Sequence, residues 1–208
     1  FRRVLFRSTA LTPVLVMLQW QDLSNNESQF IIEQESAPGT WIVAATIPEN
    51  SSIEMIDGLQ PAAAYRFRVK AVNTYGSSPY SNTADVTMLP FHGPTSLTAT
   101  AVSSDAIELS WTDNTVFESQ YVIEQRLPTG VWVVADSVTS NTTYYLRNGL
   151  TPVSTFTFRV KAVMEGASSE YSNEAQATTL QFLAAPANLS TTVLGQTQCR
   201  LDWEDRSS

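Results

Sequence analysis

Cysteine is all but missing: 208 residues carry one, Cys199. No disulfide can close within the chain, so its fold must rest on packed apolar cores. Histidine is as scarce, with His92 alone, and an isolated histidine reads as a solvated residue rather than a metal ligand. Charge is thin at 15% of residues, and 12 Lys and Arg against 20 Asp and Glu leave a net of −8. No stretch of Lys or Arg forms a patch, which makes nucleic acid and anionic membrane poor partners. No apolar run is long enough to span a bilayer, so no membrane insertion is expected in these residues. The common catalytic signatures are lacking too: there is no HExxH, no CxxC, no phosphate-binding glycine loop and no nucleophile elbow. We therefore expect no catalytic residue, no metal, no cofactor and no enzymatic activity here.

What is present points to strands. Apolar residues make up 43% of the chain, enough to bury a core. Ser and Thr are abundant, a balance that suits strands and turns better than exposed helices. The length allows about two domains of ~100 residues.

A repeat organises the chain. Shifted by 91 positions, two copies superimpose without a gap. Trp20 lands on Trp111, Asp22 on Asp113, Glu27 on Glu118 and Trp41 on Trp132. ESQFIIEQ lands on ESQYVIEQ, SSPYSN on SSEYSN, and FRVKAV at 67–72 on itself at 158–163. A period near ninety suits a whole small domain, not a helical solenoid unit. A third copy starts at 185–189 (APANL, against GPTSL) and includes LDWED at 201–205 (against LSWTD). The expected organisation is module 1 over 9–89, a linker at 90–94, module 2 over 95–180, a linker at 181–186, and the start of a third module over 187–208.

The apolar run Val14–Leu18 after Arg2, Arg3 and Arg7 imitates a signal peptide. The repeat instead makes it the strand that carries Trp20. Residues 1–8, FRRVLFRS, match nothing in the repeat and resemble the translation of a short-read sequencing adapter. They are read as artefactual, with the first strand of module 1 lost or replaced. Without their three arginines the net charge becomes −8 − 3, or −11.

Alternation with period two runs through nearly every segment. In FTFRVKAV, Phe156, Phe158, Val160 and Ala162 share one face, and Thr157, Arg159, Lys161 and Val163 the other. Module 2 then reads as strands near 95–101, 105–112, 119–126, 131–138, 142–147, 154–164 and 172–179. Module 1 repeats the last six. Turn chemistry separates them, as at Pro128-Thr129-Gly130 and Asn148-Gly149. Seven short strands with frequent turns imply an all-β fold, a β-sandwich.

Trp in the second strand, a Tyr-x-Ile strand, the Leu-x-Pro-x-x-x-Tyr-x-Phe-x-Val-x-Ala pattern and a late Tyr-Ser-Asn together resemble tandem fibronectin type III domains over residues 9–208. The resemblance implies that the sandwich is of the immunoglobulin-like type and has a tyrosine corner, in which a hydroxyl bonds upstream backbone. Its residue is Tyr65 in module 1; Phe156 stands there in module 2 and cannot make the bond.

Individual residues carry further expectations. FRVKAV is placed as a central strand packed inward on Trp20 or Trp111. Glu33 should lie beside Arg68 or Lys70, and Glu124 beside Arg159 or Lys161. In the repeated acidic pairs, Asp22 and Asp113 should cap a turn, while Glu27 and Glu118 meet a strand Arg or Lys. Trp41 and Trp132 either cover the end of the core or stand exposed to stack on a sugar or partner. Tyr80 and Tyr171 read as structural. Leu15, Met17 and Ile56 make one outer sheet face of module 1 more apolar than its counterpart, a candidate partner site. Phe91 and Phe182 could wedge between neighbouring modules. Cys199 aligns with inward Ile107 yet lies where its module is unfinished. Four Asn-x-Ser/Thr triplets occur, at Asn26, Asn50, Asn141 and Asn188.

The function expected is that of non-catalytic spacer or adhesion-type modules in a larger secreted or cell-surface protein, bacterial in type. They would present neighbouring domains of the same chain. The alternative is a module binding a protein or polysaccharide through exposed aromatics or the apolar face of module 1.

Overall fold

The computed structural model describes residues 5–183 and 185–206, and every regular element among them is a strand. Module 1 comprises β1 (Arg7–Ala10), β2 (Val16–Gln19), β3 (Gln29–Ala37), β4 (Thr40–Pro48), β5 (Ile53–Ile56), β6 (Ala64–Asn73), β7 (Gly76–Ser77) and β8 (Ala84–Thr87). They form a three-stranded sheet, β1-β2-β5, and a larger one, β4-β3-β6-β7, with β8 also on β6. Module 2 repeats the plan with β9 (Thr95–Ala101), β10 (Ile107–Thr112), β11 (Gln120–Arg126), β12 (Trp132–Thr139), β13 (Tyr144–Arg147), β14 (Thr155–Met164), β15 (Ala167–Tyr171) and β16 (Ala175–Thr178). All pairings are antiparallel. The architecture is all-β, as the alternation implies.

Each module encloses its own core. In β6, Phe67 and Val69 are buried while Arg68 and Lys70 face outward, half-covered. Phe67, Val69, Val16, Leu18, Phe30, Ile32 and Trp20 form one cluster. Phe158, Val160, Ile107, Leu109, Tyr121, Ile123 and Trp111 form its counterpart. Both tryptophans are 5% exposed, each tilted against an aromatic ring of the facing sheet, Phe30 or Tyr121, at 5.5 and 5.6 Å between ring centres. Tyr121 also donates its hydroxyl to Asp113, and burial, helped by that carboxylate, pushes its pKa far upward.

The first-strand position of module 1 is filled. Residues 1–4 lie outside the described residues, but Phe6 is 2% exposed within the core and β1 pairs with β2. The Asn82 side chain clasps Phe6, accepting from its N–H at 3.0 Å and donating to its carbonyl at 2.9 Å. Asn173 clasps Leu97 in the same way. Phe6 therefore stands 91 positions before Leu97 in place and in bonding.

The last strand of module 2 is split. The segment read as 172–179 contains a break at Ser172–Glu174, and β15, which precedes it, was not anticipated. The break exists because Asn173 turns its side chain across to β9 rather than continuing along β14.

The corners differ as the resemblance implies. Gln60 N–H donates to the Tyr65 hydroxyl at 2.8 Å. Module 2 lacks that bond but buries Thr179 (3% exposed) where module 1 buries Met88. The Thr179 hydroxyl donates to the Thr151 carbonyl at 2.6 Å and accepts from Ser154 N–H at 3.0 Å.

The first linker is hardly free. Met88 belongs to the core of module 1 and Phe91 to that of module 2, so only Leu89 and Pro90 lie between the anchors. Phe91 thus packs inside module 2 rather than between modules. Gly93 backs so closely on β15 that an added Cβ would meet the Glu170 carbonyl oxygen at 2.2 Å. In the second linker Leu180 N–H bonds the Ser103 carbonyl, while Phe182 and Leu183 are 67% and 78% exposed. Beyond it β17 (Ala187–Gly195) and β18 (Gln198–Glu204) form a two-stranded hairpin on which Cys199, Leu201 and Trp203 are exposed.

Candidate functional site

The outer face of each larger sheet carries a repeated charged and aromatic stack. Glu33 stands directly opposite Arg68 in the β3–β6 register, and Glu124 opposite Arg159 in β11–β14. Arg68 donates from Nε and Nη2 to Glu33 Oε2 at 2.8 and 2.6 Å, and Arg159 repeats both bonds to Glu124. Tyr80 and Tyr171 donate their hydroxyls to the other carboxylate oxygens at 2.9 and 2.8 Å. Lys70 lies 3.6 Å from Glu33. Burial alone pushes both carboxyls upward. The facing arginine, tyrosine and lysine outweigh it and hold Glu33 and Glu124 below the ordinary carboxylate value.

The aromatic rings bracket the guanidinium groups. Arg68 lies 4.1 Å from the centre of the Trp41 ring and 3.7 Å from that of Tyr80; Arg159 lies 4.2 and 3.7 Å from Trp132 and Tyr171. This is cation–π geometry on a half-covered surface. Trp41 and Trp132 thus sit on the outer face of the sheet, outside both core clusters, Trp41 against Arg68 and Trp132 against Arg159, with Arg126 also over the Trp132 ring at 5.9 Å. Tyr80 and Tyr171 have the structural role read for them.

The acidic loops divide as follows. Asp22 accepts from Ser24 N–H at 3.0 Å, and Asp113 from Thr115 N–H at 3.0 Å, the expected turn caps. The glutamates depart from expectation. Glu27 accepts from Asn50 N–H at 3.2 Å and Glu118 from Asn141 N–H at 3.0 Å; neither meets a strand Arg or Lys. The reason is burial at 7% exposure against the turn that joins the two sheets, where a left-handed residue turns its N–H inward. Among the described residues, no three acids, histidines or cysteines gather as a metal site.

The second candidate surface is the outer face of β2 and β5. Met17 stands opposite Thr9 on one side and Met55 on the other. Met55 and Ile53 are 45% and 46% exposed. Leu15 precedes the strand, half-buried in the β1–β2 turn. Ile56 does not belong here: it lies opposite buried Val16 and packs against the core. Its counterpart Arg147 lies opposite buried Ile107, so that slot faces inward in both modules. The open apolar residues of this face are Met55 and Ile53, which the alternation of IEMI puts on one side of β5.

The profile of the fibronectin type III domain matches this sequence over residues 5–87 and again over 92–178. The chain belongs to the fibronectin type III family. The first match takes in residues 5–8 along with β1. Chicken protein sidekick-2 is 31% identical over 105 residues, covering 46% of this chain and 5% of its own length. Human "Cell adhesion molecule-related/down-regulated by oncogenes" is 28% identical over 152 residues, covering 64% of this chain and 12% of its own. The chain thus spans only a small part of these relatives. A solved two-domain fibronectin type III segment of chicken tenascin aligns with 85% of this chain and 99% of its own at 17% identity, with a TM-score of 0.44.

Proposed function

We propose that these fibronectin type III modules are a non-catalytic, adhesion-type spacer in a larger secreted or cell-surface protein. They hold neighbouring domains of the same chain at a set distance and orientation. The observation that carries this is the joint between modules 1 and 2: two residues, one of them proline, separate Met88 in one core from Phe91 in the next. The three Cα–Cα steps from Met88 to Phe91 reach at most ~11 Å, so little relative motion is left. The adhesion setting draws support from the relative whose name carries it. Nuclear magnetic relaxation tests the joint. The amides of both modules should report one shared rotational correlation time; two independent times would sink the spacer reading.

A second reading is favoured by the outer face of β2 and β5, where Met55 and Ile53 are apolar and open beside half-buried Met17: this face makes a protein–protein contact. Beads coated with the chain and mixed with candidate partner proteins should cluster, and Met55→Lys with Ile53→Lys should disperse them. Clustering that survives both changes would remove this face from consideration. A polysaccharide ligand on Trp41 or Trp132 is less well supported, because a sugar would find only the ring face that arginine leaves.

A further inference from the structure

We propose that Asn50 and Asn141 are acceptor sites for N-linked glycans. Both begin an Asn-x-Ser/Thr triplet, Asn50-Ser51-Ser52 and Asn141-Thr142-Thr143, and they are 91 positions apart, the period of the repeat. Both lie in the turn that carries the chain from the larger sheet to the smaller, between β4 and β5 or β12 and β13. Both adopt left-handed backbone, with φ of 60° and 59°. Each turn is held from beneath by the buried carboxylate of Glu27 or Glu118 on the backbone N–H. Each asparagine is exposed, and its side-chain amide makes no hydrogen bond among the described residues.

The turn accounts for asparagine, which tolerates this conformation, but not for the hydroxyl two residues later. Ser52 and Thr143 are exposed, and their hydroxyls make no hydrogen bond among the described residues. The recurring hydroxyl thus has no structural employment, whereas the triplet's acceptor chemistry uses it. The other two triplets are committed elsewhere. Ser28, third in the Asn26 triplet, donates its hydroxyl to the Val72 carbonyl at 3.1 Å. The Asn188 amide donates to Glu204 at 2.7 Å. Neither of them has a triplet at the equivalent place in another copy.

The donor is an oligosaccharide linked through N-acetylglucosamine to a polyisoprenyl diphosphate. Asparagine Nδ2 forms the new bond to the sugar's anomeric carbon and gives up one proton. The bond from that carbon to the diphosphate oxygen breaks, and the lipid diphosphate leaves with the electron pair. A glycan placed so projects from a turn whose side chain already points to water, and it displaces no contact of either core.

The inference takes its setting from the secreted or cell-surface reading and from the animal origin of the relatives, in place of the bacterial type expected from sequence, but its test is separate from the tumbling of the joint. The full chain is secreted from animal cells behind a cleavable leader, and its intact mass is measured before and after peptide N-glycosidase. Two glycans are expected on the parent chain. Asn50→Gln and Asn141→Gln should each remove one. Ser52→Ala and Thr143→Ala should do the same while keeping the asparagine that the turn needs. Secreted chain with no glycosidase-sensitive mass, or with glycan only on Asn26 or Asn188, would overturn the proposal.

Discussion

One hydroxyl distinguishes the two corners. The Tyr65 hydroxyl accepts from Gln60 N–H, whereas Phe156 presents bare carbon to the same loop. A neutral hydrogen bond contributes ~0.5–1.5 kcal/mol. Tyr65→Phe should therefore lower the stability of module 1 by about 1 kcal/mol, and Phe156→Tyr should raise that of module 2 by a similar or smaller amount. Urea unfolding followed by the fluorescence of Trp20 and Trp111 reads both; no loss from Tyr65→Phe would remove the corner's role. Gly93 offers a sharper case. Its backbone is not left-handed, so a substitution there is opposed by space alone. A methyl group would collide with the Glu170 carbonyl, and backbone cannot swing away as a side chain can. Gly93→Ala should cost ~1–3 kcal/mol, the range for forced overpacking. An unchanged urea midpoint would show that β15 yields.

Across a strand pair, the outer stack acts as a unit. Glu33 and Glu124 titrate below their ordinary value of 4.5 in the folded chain because the surrounding cations and hydroxyls outweigh burial. A carboxyl depressed on folding adds stability that is fully present above 4.5 and is lost as pH falls through its lower folded value. Unfolding free energy should thus decline below pH 4.5, and Glu33→Gln with Glu124→Gln should flatten that decline. An identical acid profile in the double variant would exclude these two groups as its source. The charged half of this stack was legible from sequence, because glutamate on one strand and arginine on the next alternate outward in both copies. The aromatic half was not. A tryptophan at the start of an edge strand can turn toward core or solvent, and only the paired register shows that it lands on an arginine. Glu27 was misread for a related reason: its partner is a backbone N–H, which no side-chain pattern advertises. FRRVLFRS shares no letters with its counterpart in module 2, yet Phe6 fills the slot of Leu97 by size and polarity.

At the scale of the whole chain, the two junctions differ in kind. Leu89 and Pro90 bridge anchored Met88 and Phe91, and Leu89 is itself tied, its carbonyl accepting from Ala62 N–H. After Thr179 and Leu180 the chain leaves module 2 with Phe182 and Leu183 open to solvent. Phe91 and Phe182 look alike in sequence, yet one is a core residue and the other is exposed. Closure entropy grows only with the logarithm of length for a long flexible tether, and a two-residue tether is far from that regime. Four Gly-Ser residues inserted between Leu89 and Pro90 should therefore broaden the distance distribution between spin labels on modules 1 and 2. The same insertion after Leu183 should leave that distribution as it was. Equal breadth in the parent and the first variant would mean that the anchors on either side of Leu89 and Pro90 do not hold the modules in step.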